Sequence, residues 1–199
     1  MIDMVYGALI VVGAYLLGSL PSGLVIARAR GIDIRQAGSG NIGATNVSRT
    51  LGKRLGAIVL VLDALKAIVP LGLVMVLGLH ETVDPFLLTL TGAAAIAGHC
   101  FSIWLRFQGG KGVATSLGAF VILAPFGALI AVGVFAVLYG AFRVASLGSM
   151  LAAVALPIAL LLLGSGDAVV TLALAAAVLI LFTHRQNLRR LVGGKELKV

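Results

Sequence analysis

Long apolar runs, interrupted by short glycine-rich and basic segments, constrain this chain most. Apolar residues make up 60% of the 199 residues and charged residues only 11%. A soluble domain of this length cannot bury so much apolar surface. Because a chain in lipid must satisfy its own backbone hydrogen bonds, the runs predict an all-α integral membrane protein, organised as one polytopic domain over residues 1–199.

The distribution of charge predicts the orientation. Of the 15 Lys and Arg residues, 14 lie between the first two spans, after the third span, around Arg143, or in the tail, and the remaining one is Lys66 in span two. The segments on the opposite side carry only acidic charges, at Asp3, Glu81, Asp84 and Asp167. By the positive-inside rule, the N-terminus is outside and the C-terminus is in the cytoplasm.

The apolar run 112–142 determines the predicted number of spans. Its 31 residues would form a helix about 46 Å long, whereas a bilayer core needs about 30 Å. Both ends are cytoplasmic by charge, so we expect a break at Pro125 and two short segments, the first tilted or partly re-entrant. The prediction is about seven transmembrane helices, some short or broken, with five full spans as the alternative. Ser19, Pro21 and Ser22 should interrupt the first span.

The first polar segment, Gly38 to Arg49, is predicted to cradle a phosphate. Its glycines allow close approach of the backbone to a ligand, and a helix following such a loop offers free N–H groups. Arg49 supplies a planar, charged fork that suits phosphate. The other candidate ligands in this segment are Ser39, Gly40, Asn41, Thr45 and Asn46.

Two other interpretations of the first segment are weaker. Gly38-x-Gly40-x-x-Gly43 matches the dinucleotide-binding fingerprint, but that fingerprint needs a preceding strand, and here a membrane span precedes it. A plain polar loop between spans is the other alternative. The combination of Asn, Thr and Arg side chains with the glycines favours an anion site over a plain loop.

The second polar segment contains Gly109-Gly110-Lys111-Gly112. It resembles a P-loop, but Gly112 stands where the Walker pattern requires Ser or Thr, so ATP hydrolysis is not expected. A lysine on bare glycine backbone still predicts a phosphate site. The alternative is a topological anchor, with Trp104 and Arg106 at the membrane interface.

Two pairs of polar residues have helical i, i+3 spacing. Asp63 and Lys66 lie within span two, where ionisable groups usually mark a site; they either brace the phosphate cradle or form a self-neutralising structural pair. His184 and Asn187 in the basic tail are expected to face one pocket and to orient or deprotonate a hydroxyl. For His99, a role in packing or hydrogen bonding is at least as well supported as a catalytic role. No cluster has metal-site spacing, so we predict no metal.

Three segments together resemble the signature motifs of the bacterial acyl-phosphate:glycerol-3-phosphate acyltransferase family (PlsY). They are 38–49, 98–115 and 184–196, and the resemblance covers essentially the whole chain. Asp63-x-x-Lys66, Ser146-Leu147-Gly148-Ser149 and Gly18-Ser19-Leu20-Pro21 also fit the family pattern, whereas Ala67 departs from its usual glycine.

The resemblance implies a multi-pass enzyme of the bacterial inner membrane with its active site on the cytoplasmic side. It would move a fatty acyl group from acyl phosphate to the 1-hydroxyl of glycerol 3-phosphate, giving lysophosphatidate and phosphate. Its expected partners are these two substrates and membrane lipid; no cofactor or nucleic acid is expected, and the chain should be a monomer. The motif loops should lie near residues 35–54, 106–112, 143–149 and 184–199.

On this resemblance, the catalytic residues would be Arg49, Lys111, His184 and Asn187. The remaining substrate-binding candidates are Gly109, Gly110, Ser149, Lys66, Asp63 and Glu196. The proton of the acceptor hydroxyl could go either to His184 or to a phosphate oxygen of the donor. Two competing classes are a transporter for a phosphorylated metabolite and a structural protein that binds anionic lipid. Polar motifs on one face and the absence of an inverted sequence repeat oppose the transporter.

Overall fold

The computed structural model describes residues 2–82 and 86–198, and only the backbone of residues 2–4, 80 and 82. Every regular element in these ranges is helical, so the all-α class is confirmed. Helices α1 to α11 span Ile2–Gly18, Ser22–Arg28, Ala44–Leu51, Lys53–Val76, Leu79–Thr82, Leu87–Cys100, Val113–Leu123, Pro125–Phe142, Ala145–Leu162, Asp167–Thr183 and Arg185–Val192. Short 3₁₀ turns occupy Ile34–Gln36 and Ile103–Leu105. Asp84 and the side chain of Asp3, both used to predict the orientation, lie outside the described residues.

Several helices are suited to cross a membrane. Five stretches of the described chain are long and apolar enough: Val5–Arg28, Lys53–Val76, Leu87–Leu105, Pro125–Phe142 and Ala145–Leu162. A sixth results if α10 and α11, which are bent by 58° against each other, form one span. Helix α7 is apolar but has only 11 residues. A multi-pass membrane protein is confirmed, while the count of seven and the orientation stay predictions.

The predicted breaks occur where proline stands. Pro125 is the first residue of α8. The N–H of a residue at this position makes no hydrogen bond within the helix, so proline is tolerated there. Helix α7 therefore ends at Leu123, and α8 continues for 18 residues, longer than the short segment expected. In the first span, α1 ends at Gly18 and α2 begins after Pro21.

The helices form two compact units, Met1–Leu123 and Ala124–Val199. In the first unit, α1 packs on α6, and α4 packs on α3, α6 and α7. A Cβ on Gly18 would collide with the Ala95 carbonyl, and one on Gly98 with the Tyr15 carbonyl. Only glycine permits this approach of α1 to α6, which is the usual way that helices pack closely in lipid.

In the second unit, α9 packs on α8 and α10. Gly127 of α8 lies against the side chain of Leu160 on α9, which would have to shift to accommodate a Cβ. Helix α9 begins at Ala145, so most of the segment 143–149, which was predicted to be a loop, is the first turn of a helix. Similarly, the segment 184–199 contains α11.

Candidate active site

Asn46 organises the first motif loop from inside. Its side chain is only 2% exposed, and its Oδ1 accepts the N–H of Ser39 at 2.8 Å. Its Nδ2 donates to the carbonyls of Ala37 at 2.9 Å and Asn41 at 2.8 Å. Gly38 adopts φ +60°, and a Cβ there would collide with Asn46 Oδ1. Because the amide is used by the loop, Asn46 shapes the site, and the prediction that it contacts substrate has no support in its hydrogen bonds.

The backbone donors of this loop are also used within it. The N–H of Gly40 donates to the Ala37 carbonyl at 3.0 Å, and the N–H of Gly43 donates to Asn41 Oδ1 at 2.9 Å. With Ser39, three N–H groups of this segment thus have acceptors within the loop, and the binding of phosphate by Ser39 and Gly40 stays a prediction. Asn41 instead stabilises the entry to α3, as side-chain acceptors commonly do before a helix.

Helix α3 carries the charged ligand candidate of the first unit. Arg49 lies in its last turn, half-buried, and Thr45 lies one turn earlier on the same face. The other face of α3 belongs to a small apolar core with Ile34, Val47 and Val59. This core fixes α3 against the start of α4, so Arg49 stands on a rigid element rather than on a mobile loop.

Asp33 is a residue that motif reasoning missed. It accepts the Nε of Arg35 at 2.9 Å and the Arg35 backbone N–H at 3.1 Å. The hydrogen bond from the Arg35 guanidinium holds the pKa of Asp33 well below its usual range, and the same contact raises the pKa of Arg35. The Asp-x-Arg spacing before a turn was the available signal, since Asp commonly caps short helices.

The glycines of the second loop are required by close packing. The N–H of Gly109 donates to the Cys100 carbonyl at 3.0 Å, and the N–H of Gly110 donates to the His99 carbonyl at 2.9 Å. A Cβ on either glycine would collide with the end of α6. These two N–H groups therefore donate to the end of α6, and the binding of phosphate by this segment stays a prediction. Lys111 follows directly and precedes α7.

Asp63 and Lys66 form the ion pair that their spacing suggested. Lys66 Nζ donates to Asp63 Oδ1 at 2.6 Å, and both side chains are almost fully buried. His99 joins them, with Nδ1 3.4 Å from Lys66 Nζ, and Thr115 donates to the Asp63 carbonyl at 2.9 Å. The contacts of the pair extend to His99, against which the second loop packs.

In the second unit, Glu196 gathers three donors. Its carboxylate accepts Ser146 Oγ at 2.8 Å, Asn187 Nδ2 at 2.5 Å and Arg190 Nε at 2.7 Å. Burial raises the pKa of Glu196, but the hydrogen bonds from Arg190, Asn187 and Ser146 outweigh it, and the net pKa lies below its ordinary value. The sequence pointed to Ser149, which is buried further along α9. Ser146, which was not among the predicted site residues, is the serine that donates a hydrogen bond to Glu196.

His184 lies at the junction of α10 and α11, 3% exposed. Its Nδ1 is 2.8 Å from the Ile180 carbonyl. A carbonyl can only accept, so this bond places a proton on Nδ1, and a neutral ring then keeps its lone pair on Nε2. Apart from Glu196, the sequence offered no nearby acidic residue to orient His184, and the structure provides the backbone carbonyl of Ile180 in that role. Asn187 is one turn further on and is held by Glu196.

The two units are those of a polytopic helical membrane protein whose polar segments carry basic side chains. The family model described as Glycerol-3-phosphate acyltransferase matches residues 8–194. A Glycerol-3-phosphate acyltransferase of Geotalea daltonii is 44% identical over 187 residues, 94% of each chain. One of Anaeromyxobacter dehalogenans is 48% identical over 196 residues, 97% of each chain. The chain belongs to the glycerol-3-phosphate acyltransferase family, and it is an acyltransferase enzyme.

Solved structures agree with this assignment. The chain is similar to the crystal structure of PlsY (YgiH), an integral membrane glycerol 3-phosphate acyltransferase, in its glycerol 3-phosphate form. The TM-score is 0.91 at 38% identity, covering 98% of this chain and 96% of that one. The lysophosphatidic acid form of the same protein gives a TM-score of 0.88 at 37% identity, covering 97% and 95%.

Proposed function

We propose that this chain transfers a fatty acyl group from acyl phosphate to the 1-hydroxyl of glycerol 3-phosphate, the first acylation in phospholipid synthesis. The observation that carries the proposal is the close similarity to a glycerol 3-phosphate form and a lysophosphatidic acid form of one solved acyltransferase. The first names the acceptor and the second the product, so the missing substrate is an acyl donor.

Acyl phosphate suits the residues of this chain as donor. It is a mixed anhydride that is already activated, so no covalent acyl-enzyme is required. The acceptor oxygen attacks the acyl carbonyl carbon, the bond from that carbon to the phosphate oxygen breaks, and phosphate leaves. Both substrates bring phosphate groups, and Arg49 and Lys111 are the cations on motif elements that neutralise them. Positioning and charge stabilisation then account for catalysis.

The acceptor hydroxyl must lose a proton in this reaction. We propose that a phosphate oxygen of the donor takes it as the anhydride breaks, while His184 and Asn187 position glycerol 3-phosphate. Ser39 and Thr45, which lie near the surface of the first loop and helix α3, complete the polar contacts. Nε2 of His184 is the alternative acceptor of this proton, since Nδ1 donates to the Ile180 carbonyl.

The proposal is tested with purified protein in detergent or lipid mesophase. We expect release of inorganic phosphate from acyl phosphate only when glycerol 3-phosphate is present, with lysophosphatidate as the second product. EDTA should leave the rate unchanged, since Lys and Arg neutralise the phosphates. A transporter or a structural lipid-binding protein would release no phosphate, and that result would exclude the proposed activity.

We further propose that the protein is a monomer in the bacterial inner membrane with its motif loops in the cytoplasm. The orientation is supported by the sorting of 14 of 15 basic residues onto one side. A reporter fused after Val199 should be active only in the cytoplasm. Activity of that reporter on the outer side would overturn the orientation.

A further inference from the structure

A buried polar cluster in the first unit is not explained by the proposed chemistry alone. It consists of Asp63 and Lys66 on α4 and His99 on α6, all 4% exposed or less. From its contacts we propose that His99 is a positioning residue. It fixes the position of the second loop, including Lys111, against the end of α6. The inference rests on the proposed role of Lys111 in binding phosphate.

One edge of the His99 ring is fixed by the ion pair. Lys66 Nζ lies 3.4 Å from His99 Nδ1 and 2.6 Å from Asp63 Oδ1. An ammonium group only donates, so Nδ1 is the acceptor in its contact with Lys66, and the same nitrogen lies 3.8 Å from Asp63 Oδ1. Asp63 alone would neutralise Lys66, so the contact with His99 adds orientation of the ring rather than charge balance.

The opposite edge of the ring faces the second loop. The atom closest to a Cβ placed on Gly110 would be His99 Nε2, and that Cβ would collide with the ring. The N–H of Gly110 also donates to the carbonyl of His99 itself at 2.9 Å. Gly110 therefore rests on the ring and the backbone of one residue, and Lys111 is its immediate neighbour in the chain.

This arrangement connects α4 to the second loop through buried side chains and helices. Thr115 Oγ1 donates to the Asp63 carbonyl at 2.9 Å, which ties the start of α7 to α4 on the other side of Lys111. Lys111 therefore lies between Gly110, which packs on His99, and Thr115, which is hydrogen-bonded to the backbone of Asp63. Since a displacement of about 1 Å in a positioning group can cost on the order of 10²-fold in rate, such support has catalytic value.

Two variants of His99 separate positioning from charge support. His99→Asn keeps an oxygen acceptor near Lys66 but is too short to reach Gly110, whereas His99→Gln extends to the place of Nε2. We expect His99→Asn to lose about tenfold in kcat/KM for acyl phosphate and glycerol 3-phosphate, and His99→Gln to stay within about threefold of wild type. If the two variants are equally active, His99 does not act through Gly110 and the inference is wrong.

A double-mutant cycle tests the connection to Lys111. If His99 acts through Lys111, His99→Asn should reduce kcat/KM little further once Lys111→Ala is present, because the group that it positions is gone. Losses that multiply would show an independent role and overturn the inference. Thr91→Val is the matched control: it lies buried on the same helix α6, its hydroxyl has no hydrogen-bond partner among the described residues, and it should leave kcat/KM unchanged.

Folding of each variant is checked by thermal unfolding in detergent. Should His99→Asn not fold, Gly110→Ala tests the same contact from the side of the loop and leaves the buried ion pair intact. This variant should lower kcat/KM at least tenfold. Wild-type activity in Gly110→Ala would contradict the inference. Failure of the proposed function is a separate result, since the wild-type protein would then release no phosphate at all.

Discussion

Glu196→Gln is the substitution for which the second unit gives the sharpest expectation. Ser146 and Asn187 both donate to Oε1, and Arg190 donates to Oε2. In glutamine, one oxygen remains for the first two donors, but an NH₂ group faces the Arg190 guanidinium. Two donors then meet, the negative charge is lost, and the tail is held less firmly to α9 and α11.

The cost follows from these contacts. A hydrogen bond to a charged group contributes about 1.5–3 kcal/mol, and the Arg190 contribution must be reduced for solvent screening because that side chain is 30% exposed. We therefore expect the anchoring of the tail to weaken by about 2 kcal/mol. If Asn187 positions glycerol 3-phosphate, loss of its orientation should lower kcat/KM by about 10- to 30-fold, since 1.36 kcal/mol corresponds to tenfold.

Phosphate release measures kcat/KM, and hydrogen exchange over residues 185–198 measures the anchoring. Exchange should accelerate there and stay unchanged over α4 and α6. Lys195→Gln, which changes an exposed charge in the same tail, is the control and should alter neither quantity. Normal activity together with wild-type exchange in Glu196→Gln would refute the reasoning.

The pH dependence of this anchoring has a definite sign. The pKa of Glu196 is lowered in the folded protein, so its contribution to stability is fully present above the unfolded pKa of about 4.3. It is lost as the pH falls through the lower pKa of the folded state. Hydrogen exchange of the tail should thus be insensitive to pH near neutrality, after correction for intrinsic rates, and accelerate only in acid.

Other substitutions test the remaining site residues. Arg49→Ala and Lys111→Ala should each lose about 10²-fold or more in kcat/KM, and Arg49→Lys should also be impaired if the fork is used in bidentate fashion; near-normal activity in a folded variant would remove that residue from the site. His184→Gln should retain measurable activity and the acidic limb of the wild-type pH profile, and disappearance of that limb with unchanged substrate binding would make His184 the base. Asn46→Ala should lower stability by about 2–4 kcal/mol, since it leaves several loop groups without their partner; an unchanged thermal unfolding midpoint would contradict its structural role.

The sequence predicted the helical class and the main breaks because these depend on local properties. The interruptions at Pro21 and Pro125 were found where expected, whereas Pro70 and Pro157 lie inside continuous helices. The spacing of Asp63 and Lys66 was equally informative, since i, i+3 neighbours share one face of a helix and these two form an ion pair.

The roles of the glycines and amides could not be predicted in the same way. Gly109 and Gly110 look like a phosphate nest in isolation, but the end of α6 lies against them, and only a folded chain reveals that contact. Asn46 has a side chain that could bind a substrate, yet its amide is hydrogen-bonded to the backbone of the loop itself. His99 lies 33 residues from Lys66, and no local pattern connects residues so far apart.

The division between Leu123 and Ala124 has a consequence for how the protein is made. Synthesis proceeds from the N-terminus, so α1, α4, α6 and α7 have all left the ribosome before Pro125 emerges. All the contacts that join these helices to one another are then available, and the Asp63–Lys66 pair can meet His99 while the remaining helices are still being translated. The contacts of the ion pair with His99 can therefore form before the second half of the chain is translated. This order shortens the time during which the charged side chains are exposed to lipid.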